Sequence, residues 1–171
     1  SSEFLLIAFK PNEYLLSEGV KKNLKNISKD LEKLSPVKSV TTILNVPLLL
    51  SSKKSLVDIL EGVPTVKDNI VEDTLIKEEF TSSPLYKNNL VSEDFKTTAI
   101  LINLKENKTL LELREKKQKY QNILEERNLN DSELNSFNLV KQDITKERAK
   151  LRKIQNELIF NVCLLYTSDA A

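Results

Sequence analysis

The sequence predicts an α+β fold, from the way apolar residues and helix breakers are distributed along the chain. Residues 4–9 and 96–104 are short, strongly apolar runs with the length of buried strands. Residues 37–44, rich in β-branched side chains, predict a third strand between them. All five prolines and both glycines lie at or before Pro84. We therefore expect a small sheet first, followed by long uninterrupted helices.

The first part of the chain predicts a β-α-β unit. Residues 4–9 (FLLIAF) are continuously apolar, which is typical of a strand buried on both faces. Residues 17–34 predict a helix with Ser17 as its N-cap. Its apolar residues recur three or four positions apart and form one stripe: Val20, Leu24, Ile27, Leu31 and Leu34. Residues 37–44 then predict a strand with a partly polar face.

Residues 46–92 predict an excursion from the sheet before the third strand at residues 96–104. Two stretches of this excursion, residues 55–61 and residues 67–80, can each form a helix, and Asp68 is a candidate cap for the second. Asp94 is expected to lie in a turn.

Residues 105–162 predict a charged helical hairpin with its turn at residues 128–131 (NLND). Thirteen basic and ten acidic residues lie between positions 105 and 161, which is typical of a solvated outer face. The apolar residues follow coiled-coil spacing on both arms: Leu110, Leu113, Tyr120 and Leu124, then Phe137, Val140, Ile144, Leu151, Ile154 and Leu158.

Three strands and a helical return match the first three-quarters of a split β-α-β, ferredoxin-like arrangement, with strand order fourth, first, third, second. The first and third strands are central there, and here they are the two apolar runs. The fourth strand is expected after the hairpin. Without it, residues 4–9 would be an exposed apolar edge that is prone to aggregation.

The composition argues against several classes of function. A net charge of +1 with no basic stripe is unlike a general nucleic-acid binder, so we expect no nucleic-acid partner. The chain has no histidine, the usual general base and the commonest metal ligand, and it has no metal-binding loop motif. We therefore expect no enzyme activity, no cofactor and no metal site.

Two sets of polar residues are expected to be structural rather than to form functional sites. Four serines have no histidine or paired-lysine motif around them and predict turns instead: Ser51, Ser52, Ser82 and Ser83. The neighbouring glutamates at 78–79 and at 125–126 do not face each other on a helix, so solvated side chains are expected.

Several motifs have a recognisable order and spacing. They are VKSVTTILNVP at residues 37–47, PTVKDN at 64–69, FTSSPLY at 80–86, and the turn and strand at 91–104. Together they resemble the first extracytoplasmic loop of resistance-nodulation-division exporters, in the hydrophobe and amphiphile efflux branch related to the large lipid transporters of mycobacteria. Residues 111–114 (LELR) resemble the start of that family's helical insertion. Phe95 stands where the family commonly has glycine, and a positive φ is less favourable for Phe.

The resemblance implies a porter subdomain at residues 1–104, outside a bacterial inner membrane that holds the full-length protein. Such a region lines and gates a path for hydrophobic or amphiphilic small molecules or lipids in proton-driven efflux. Its partners would be those substrates and the rest of its own transporter chain, and a homo-oligomer is compatible with it. The candidate path-lining residues are Leu48, Leu49, Leu50, Phe80, Leu85 and Tyr86. Plain core packing remains the alternative for these six residues.

A second interpretation is a structural or interaction module whose coiled-coil hairpin docks a partner protein, as periplasmic adaptors do. Such adaptors carry a glycine-punctuated lipoyl-like domain, and two glycines in the whole chain argue against it.

Residues 163–171 (CLLYTSDAA) resemble a translated sequencing adapter. The native chain is then expected to reach only the neighbourhood of Val162, and Cys163 is excluded from the argument.

Overall fold

The computed structural model describes residues 3–51 and 62–167, and the chain divides into two compact units, Ser1–Lys105 and Glu106–Ala171. The first unit contains β1 (Phe4–Phe9), α1 (Glu18–Glu32), β2 (Val37–Thr41), a 3₁₀ turn (Val66–Asp68), α2 (Asp73–Ser82) and β3 (Thr98–Leu104). The second contains α3 (Lys108–Glu126) and α4 (Asp131–Thr167). The helix predicted at residues 55–61 lies outside the described residues, except for its flank at Gly62.

The three strands form one antiparallel sheet in the order β1-β3-β2. β1 pairs with β3 without interruption, from Phe4 opposite Asn103 to Phe9 opposite Thr98. β2 pairs with the other side of β3, with an irregularity between Val37 and Ser39. Since both outer strands are antiparallel to β3, they run parallel to each other, and α1 connects them. The mixed α+β class and the central place of the third strand are confirmed.

α1 begins where the sequence predicts it, because the side chain of Ser17 accepts a hydrogen bond from the backbone N–H of Val20 at 3.3 Å. The helix ends at Glu32, so Leu34 lies beyond it. Its remaining predicted stripe is buried: Val20, Leu24, Ile27 and Leu31. The sheet contributes fully buried residues to the core of the same unit, namely Val40, Ile100 and Ile102.

β1 is not buried on both faces, so that prediction was wrong. Phe4 is 60% exposed and Leu6 is 58% exposed, whereas Phe9 is buried. Their strand has only one neighbouring strand among the described residues, and the side chains of Phe4 and Leu6 point away from the face that holds Ile100 and Ile102. Among the described residues, β1 is therefore the exposed apolar edge that the sequence predicts in the absence of a fourth strand.

β2 ends at Thr41, three residues earlier than predicted. The side chain of Asn45 accepts a hydrogen bond from the backbone N–H of Thr42 at 2.8 Å and donates one to the carbonyl of Val40 at 2.8 Å. An asparagine side chain that binds the local backbone competes with the strand ladder. The chain therefore turns away from the sheet although Ile43 and Leu44 are buried.

The single helix predicted at residues 67–80 is two separate elements. Asn69 has a left-handed backbone (φ 52°) and ends the 3₁₀ turn, and α2 begins only at Asp73. Asp68 does cap the turn, since its carboxylate accepts hydrogen bonds from the backbone N–H of Thr65 at 2.7 Å and from its hydroxyl at 3.0 Å. Ile70 lies in the break between the two elements and is 71% exposed.

In the second unit, α3 and α4 are joined by a short connection at residues 127–130. The ring of Phe137 is buried and lies 5.6 Å from that of Tyr120. Asn107 caps α3 by accepting from the N–H of Leu110 at 2.9 Å, and its side-chain amide donates to Glu147 at 3.1 Å. No helix in the described part of the chain is long and apolar enough to cross a membrane.

Two residues of the predicted hairpin stripe, Leu124 and Ile154, are exposed. On α4, Gln155 is half-buried where the sequence predicted Ile154 to be. Gln155 lies eleven positions after buried Ile144. Half-buried Ile123 takes the place of Leu124 on α3. Residues on one helix face recur three or four positions apart, and the steps from Leu151 to Gln155 and from Tyr120 to Ile123 both keep to that spacing.

The connection between α3 and α4 is held by an ion pair and a capping box. Two nitrogens of Arg127 donate to the two carboxylate oxygens of Glu133 at 2.8 and 2.7 Å. Glu133 also accepts from the N–H of Asn130 at 2.9 Å, and the side chain of Asn130 accepts from the N–H of Glu133 at 2.9 Å. The hydrogen bonds from Arg127 and then from Asn130 lower the pKa of Glu133 from 4.5 to about 2.

Replacing Arg127 by Gln is expected to raise the pKa of Glu133 towards 4.5, as measured by NMR titration of its carboxyl carbon. In the unchanged protein the pKa is lower in the folded than in the unfolded state. The contribution of the pair to stability is therefore complete above pH 4.5 and is lost as the pH falls towards about 2. Lys146→Gln, which breaks the exposed pair with Asp143, is the control and should leave Glu133 unchanged. A Glu133 that already titrates near 4.5 in the unchanged protein would contradict this.

Candidate functional site around Glu79

The six candidate path-lining residues all lie in the first unit, but they fall into two groups. Three are buried: Leu48, Phe80 and Tyr86. The other three are exposed: Leu49, Leu50 and Leu85. The first group packs in the core, as the alternative interpretation has it, and the second offers apolar side chains to the surface.

Glu79 on α2 binds the backbone of two of these residues, Leu49 and Leu50, although the sequence predicted a solvated side chain there. Only 3% of Glu79 is exposed. One carboxylate oxygen accepts from the N–H of Leu49 at 2.7 Å and of Leu50 at 3.1 Å. The other accepts from the N–H of Ser51 at 2.9 Å and from its hydroxyl. We call these four residues the Glu79 clamp.

The position of Glu79 on α2 is the one signal in the sequence that could have suggested its burial. Glu79 lies next to Phe80 and three residues after Ile76, both of them buried on the same helix. Its backbone partners, however, are 28 to 30 residues earlier in the chain. No local spacing rule connects positions so far apart, whereas neighbouring Glu78 is exposed as expected.

Tyr86 makes a second connection between the same two segments. Its hydroxyl donates a hydrogen bond to the carbonyl of Pro47, and its ring meets that of Phe80 edge-on with centroids 5.2 Å apart. Burial, followed by the negative charge on Glu79, raises the pKa of Tyr86 above its usual value. The segment from Pro47 to Ser51 is therefore held at both ends against α2 and the turn that follows it.

A shallow pocket of about 180 Å³ lies beside the clamp. Its lining combines two leucines with four polar residues: Leu50, Leu75, Ser51, Glu78, Glu79 and Ser82. The Glu79 carboxylate already accepts three backbone N–H groups and a hydroxyl, so its part is to hold the segment in place rather than to move a proton. The Ser51 hydroxyl is likewise committed to that carboxylate.

Phe95 packs against Phe80, next to Glu79 on α2, and its own backbone is strained. Its φ is +55° and it is only 3% exposed. The ring lies 6.4 Å from that of Phe80, nearly parallel to it, and 5.9 Å from that of Tyr14. The amino group of Lys77 on α2 lies 5.9 Å from the centre of the same ring. Phe95 thus packs against α2 through Phe80 and Lys77.

The turn that contains Phe95 is organised by a serine and an aspartate. The hydroxyl of Ser92 donates to Asp94 at 2.6 Å and accepts from the N–H of Thr97 at 2.9 Å. Asp94 also accepts from the N–H of Lys96 at 3.1 Å. The bond from Ser92 and then that from Lys96 lower the pKa of Asp94. Asp94 is a turn residue, as predicted, and β3 begins at Thr98 because this turn occupies the residues before it.

Comparison with known proteins assigns no family to this arrangement. The chain matches no protein-family model, no curated protein and no solved structure. Within residues 3–51 and 62–167, no group of three or more His, Cys, Asp or Glu side chains could hold a metal ion. The residues of the site itself therefore carry the argument for function.

Proposed function

We propose that the chain is an extracytoplasmic porter region of a resistance-nodulation-division exporter, which lines and gates a path for hydrophobic or amphiphilic substrates. One observation carries the proposal. The Tyr86 hydroxyl binds the carbonyl of Pro47, so the last residue of the FTSSPLY motif contacts the last residue of the VKSVTTILNVP motif. Two of the motifs that carry the resemblance therefore belong to one structural unit, although 39 positions separate these two residues.

The proposed fold is the ferredoxin-like arrangement, of whose four strands the described residues would provide three. Its support is the order β1-β3-β2, in which α1 connects two parallel strands that β3 separates. The fourth strand would lie beside β1, on the side where no strand of the described residues pairs with it. The proposal extends the observed three-stranded sheet by that one element.

The proposed mechanism is a displacement of preassembled pieces rather than a chemical step. The Glu79 clamp and Tyr86 make the segment from Pro47 to Ser51 move together with α2. The exposed side chains of Leu49 and Leu50 move with them and offer an apolar surface to a substrate. Rigid movement of such a piece opens or closes a route without breaking its internal hydrogen bonds.

The second candidate function, docking of a partner by the hairpin, is favoured by exposed leucines on α3 and α4. Leu124, Leu134 and Leu139 are all exposed, and Leu139 is the most exposed of the three. The connection between these two helices is held by the hydrogen bonds from Arg127 to Glu133. Surface apolar residues on a helical pair are what a helical partner would cover.

Two experiments separate the two candidates. In the first, reading the genomic locus in both directions is expected to show apolar membrane-spanning segments on either side of this region. In the full-length gene, Leu50→Lys is expected to lower efflux of a lipophilic dye roughly tenfold, because a charge is costly in an apolar path. Leu139→Lys is the matched control and should leave efflux unchanged. Loss of efflux with Leu139→Lys alone would favour docking, and a locus that encodes a soluble enzyme would contradict both.

A further inference from the structure

The outer side of β1 carries hydrogen-bonding groups that no strand among the described residues pairs with. The carbonyl of Glu3 accepts from the N–H of Leu104 at 2.9 Å, so the backbone of Glu3 faces β3. In an antiparallel ladder the backbone groups alternate sides with a period of two. The backbone groups of Leu5 and Ile7 therefore face β3, and those of Phe4, Leu6 and Ala8 face away from the sheet.

The same three residues expose their side chains. Phe4 and Leu6 are more than half exposed, and Ala8 is exposed as well. β1 contains no charge, no proline and no bulge over its six residues. Natural sheets use those features to prevent edge strands from pairing with another chain. Their absence makes β1 a strand that is available for pairing.

A groove lies next to this edge on the exposed face of the sheet. It has a volume of about 290 Å³ and is bounded by Leu6 and Ala8 of β1, by the start of β3 at Ala99, and by the loop around Leu90 and Val91. Its accessible lining is mainly apolar, although five of its ten lining residues are polar. The small side chain of Ala8 leaves room at the point where the groove meets the open edge.

We propose that β1 pairs with β1 of a second copy of this chain, antiparallel about a twofold axis at Leu6. In that register Leu6 lies opposite Leu6 of the partner subunit, and Phe4 lies opposite Ala8 of the partner subunit. It is the register in which all the outward backbone groups of Phe4, Leu6 and Ala8 find partners, with about six interchain N–H···O bonds. A shift by two residues in either direction leaves part of them unpaired.

The side chains favour the same register. Opposite residues of an antiparallel pair point to the same face, so the large Phe4 side chain meets the small Ala8 side chain of the partner subunit. The phenyl ring then reaches the groove beside that alanine, and the twofold axis repeats the contact. The interface is self-complementary and closed at two copies.

Strand pairing of this length buries less than the ~1,200 Å² of a standard stable interface, so we expect a weak, reversible dimer. This inference does not depend on the proposed transport function. A fourth strand beside β1, as in the proposed ferredoxin-like arrangement, would occupy the same edge and would exclude this dimer.

Two measurements on the 171-residue chain test the dimer. Sedimentation over protein concentrations from about 1 to about 500 µM is expected to show a monomer that converts to a dimer. Hydrogen exchange is expected to slow at the amides of Phe4, Leu6 and Ala8 as the dimer forms, while those of Leu5 and Ile7 are slow throughout. This alternation along one strand distinguishes β1 pairing from association elsewhere.

Leu6→Lys is expected to weaken dimerisation by roughly tenfold or more, because it places a charge on each side of the twofold axis. Leu85→Lys is the matched control, with a similarly exposed leucine of the same unit, and should dimerise normally. Circular dichroism confirms that both variants are folded. Four results would overturn the proposal: a monomer at every concentration, an unaffected Leu6→Lys variant, open assemblies larger than two copies, or a monomer in which these amides are already protected.

Discussion

Replacing Glu79 by Ala is expected to lower the free energy of unfolding by about 3 kcal/mol, as measured by urea denaturation. The change removes the acceptor for the N–H groups of Leu49, Leu50 and Ser51 from a site where Glu79 itself is buried. Polar groups left without partners lose hydrogen bonds that water replaces only in part. Hydrogen exchange at these three amides should accelerate more than exchange in β3.

Glu79→Gln is expected to cost about half as much as Glu79→Ala. The amide oxygen of Gln can still accept from Leu49 and Leu50, but its NH₂ group would face the N–H of Ser51. Glu78→Ala is the matched control, since Glu78 is the exposed neighbour on the same helix, and it should change stability by no more than about 0.5 kcal/mol. Equal effects of Glu78→Ala and Glu79→Ala would refute the Glu79 clamp.

Replacing Phe95 by Ala is expected to lower the free energy of unfolding by about 3–5 kcal/mol, because a buried aromatic side chain is removed. The ring contacts Phe80 and Tyr14, and Lys77 lies over it, so its loss leaves a cavity beside α2. Urea denaturation measures the change. Near-ultraviolet circular dichroism should report the altered surroundings of Tyr14 and Tyr86.

The backbone of Phe95 makes a more specific result expected from Phe95→Gly. At φ +55° a side chain costs about 1 kcal/mol that glycine avoids, so Phe95→Gly should destabilise the protein by about 1 kcal/mol less than Phe95→Ala. The order reverses at Lys22, an exposed position inside α1, where Gly should be less stable than Ala by about 1 kcal/mol. The same order at both positions would show that Phe95 is not strained.

Two features explain how the bulky side chain of Phe95 occupies a turn that suits glycine. The network of Ser92 and Asp94 holds the turn, and the packing of the Phe95 ring offsets the unfavourable backbone conformation. Phe95 therefore has a structural role, since its ring supports the helix that carries Glu79.

The sequence correctly predicted the elements that depend on residues close to one another along the chain. The spacing of Val20, Leu24 and Ile27 predicted α1, and Ser17 predicted its start. The placement of the apolar run at residues 96–104 in the centre of the sheet was also correct. Propensity, capping and periodicity depend on neighbours within about four positions, so they are readable along the chain. The mixed α+β class follows from them.

The tertiary structure decided what depends on distant partners. Glu79 was expected in solvent, and its burial requires the backbone of residues 49–51, which the chain brings to it from 28 to 30 positions away. The apolar run at residues 4–9 predicted a strand buried on both faces, but Phe4 and Leu6 are exposed because they lie on the face opposite Ile100 and Ile102, on a strand with one neighbour among the described residues. A side chain's hydrophobicity is a local property, but its burial depends on which segment covers it, and only the assembled fold determines that.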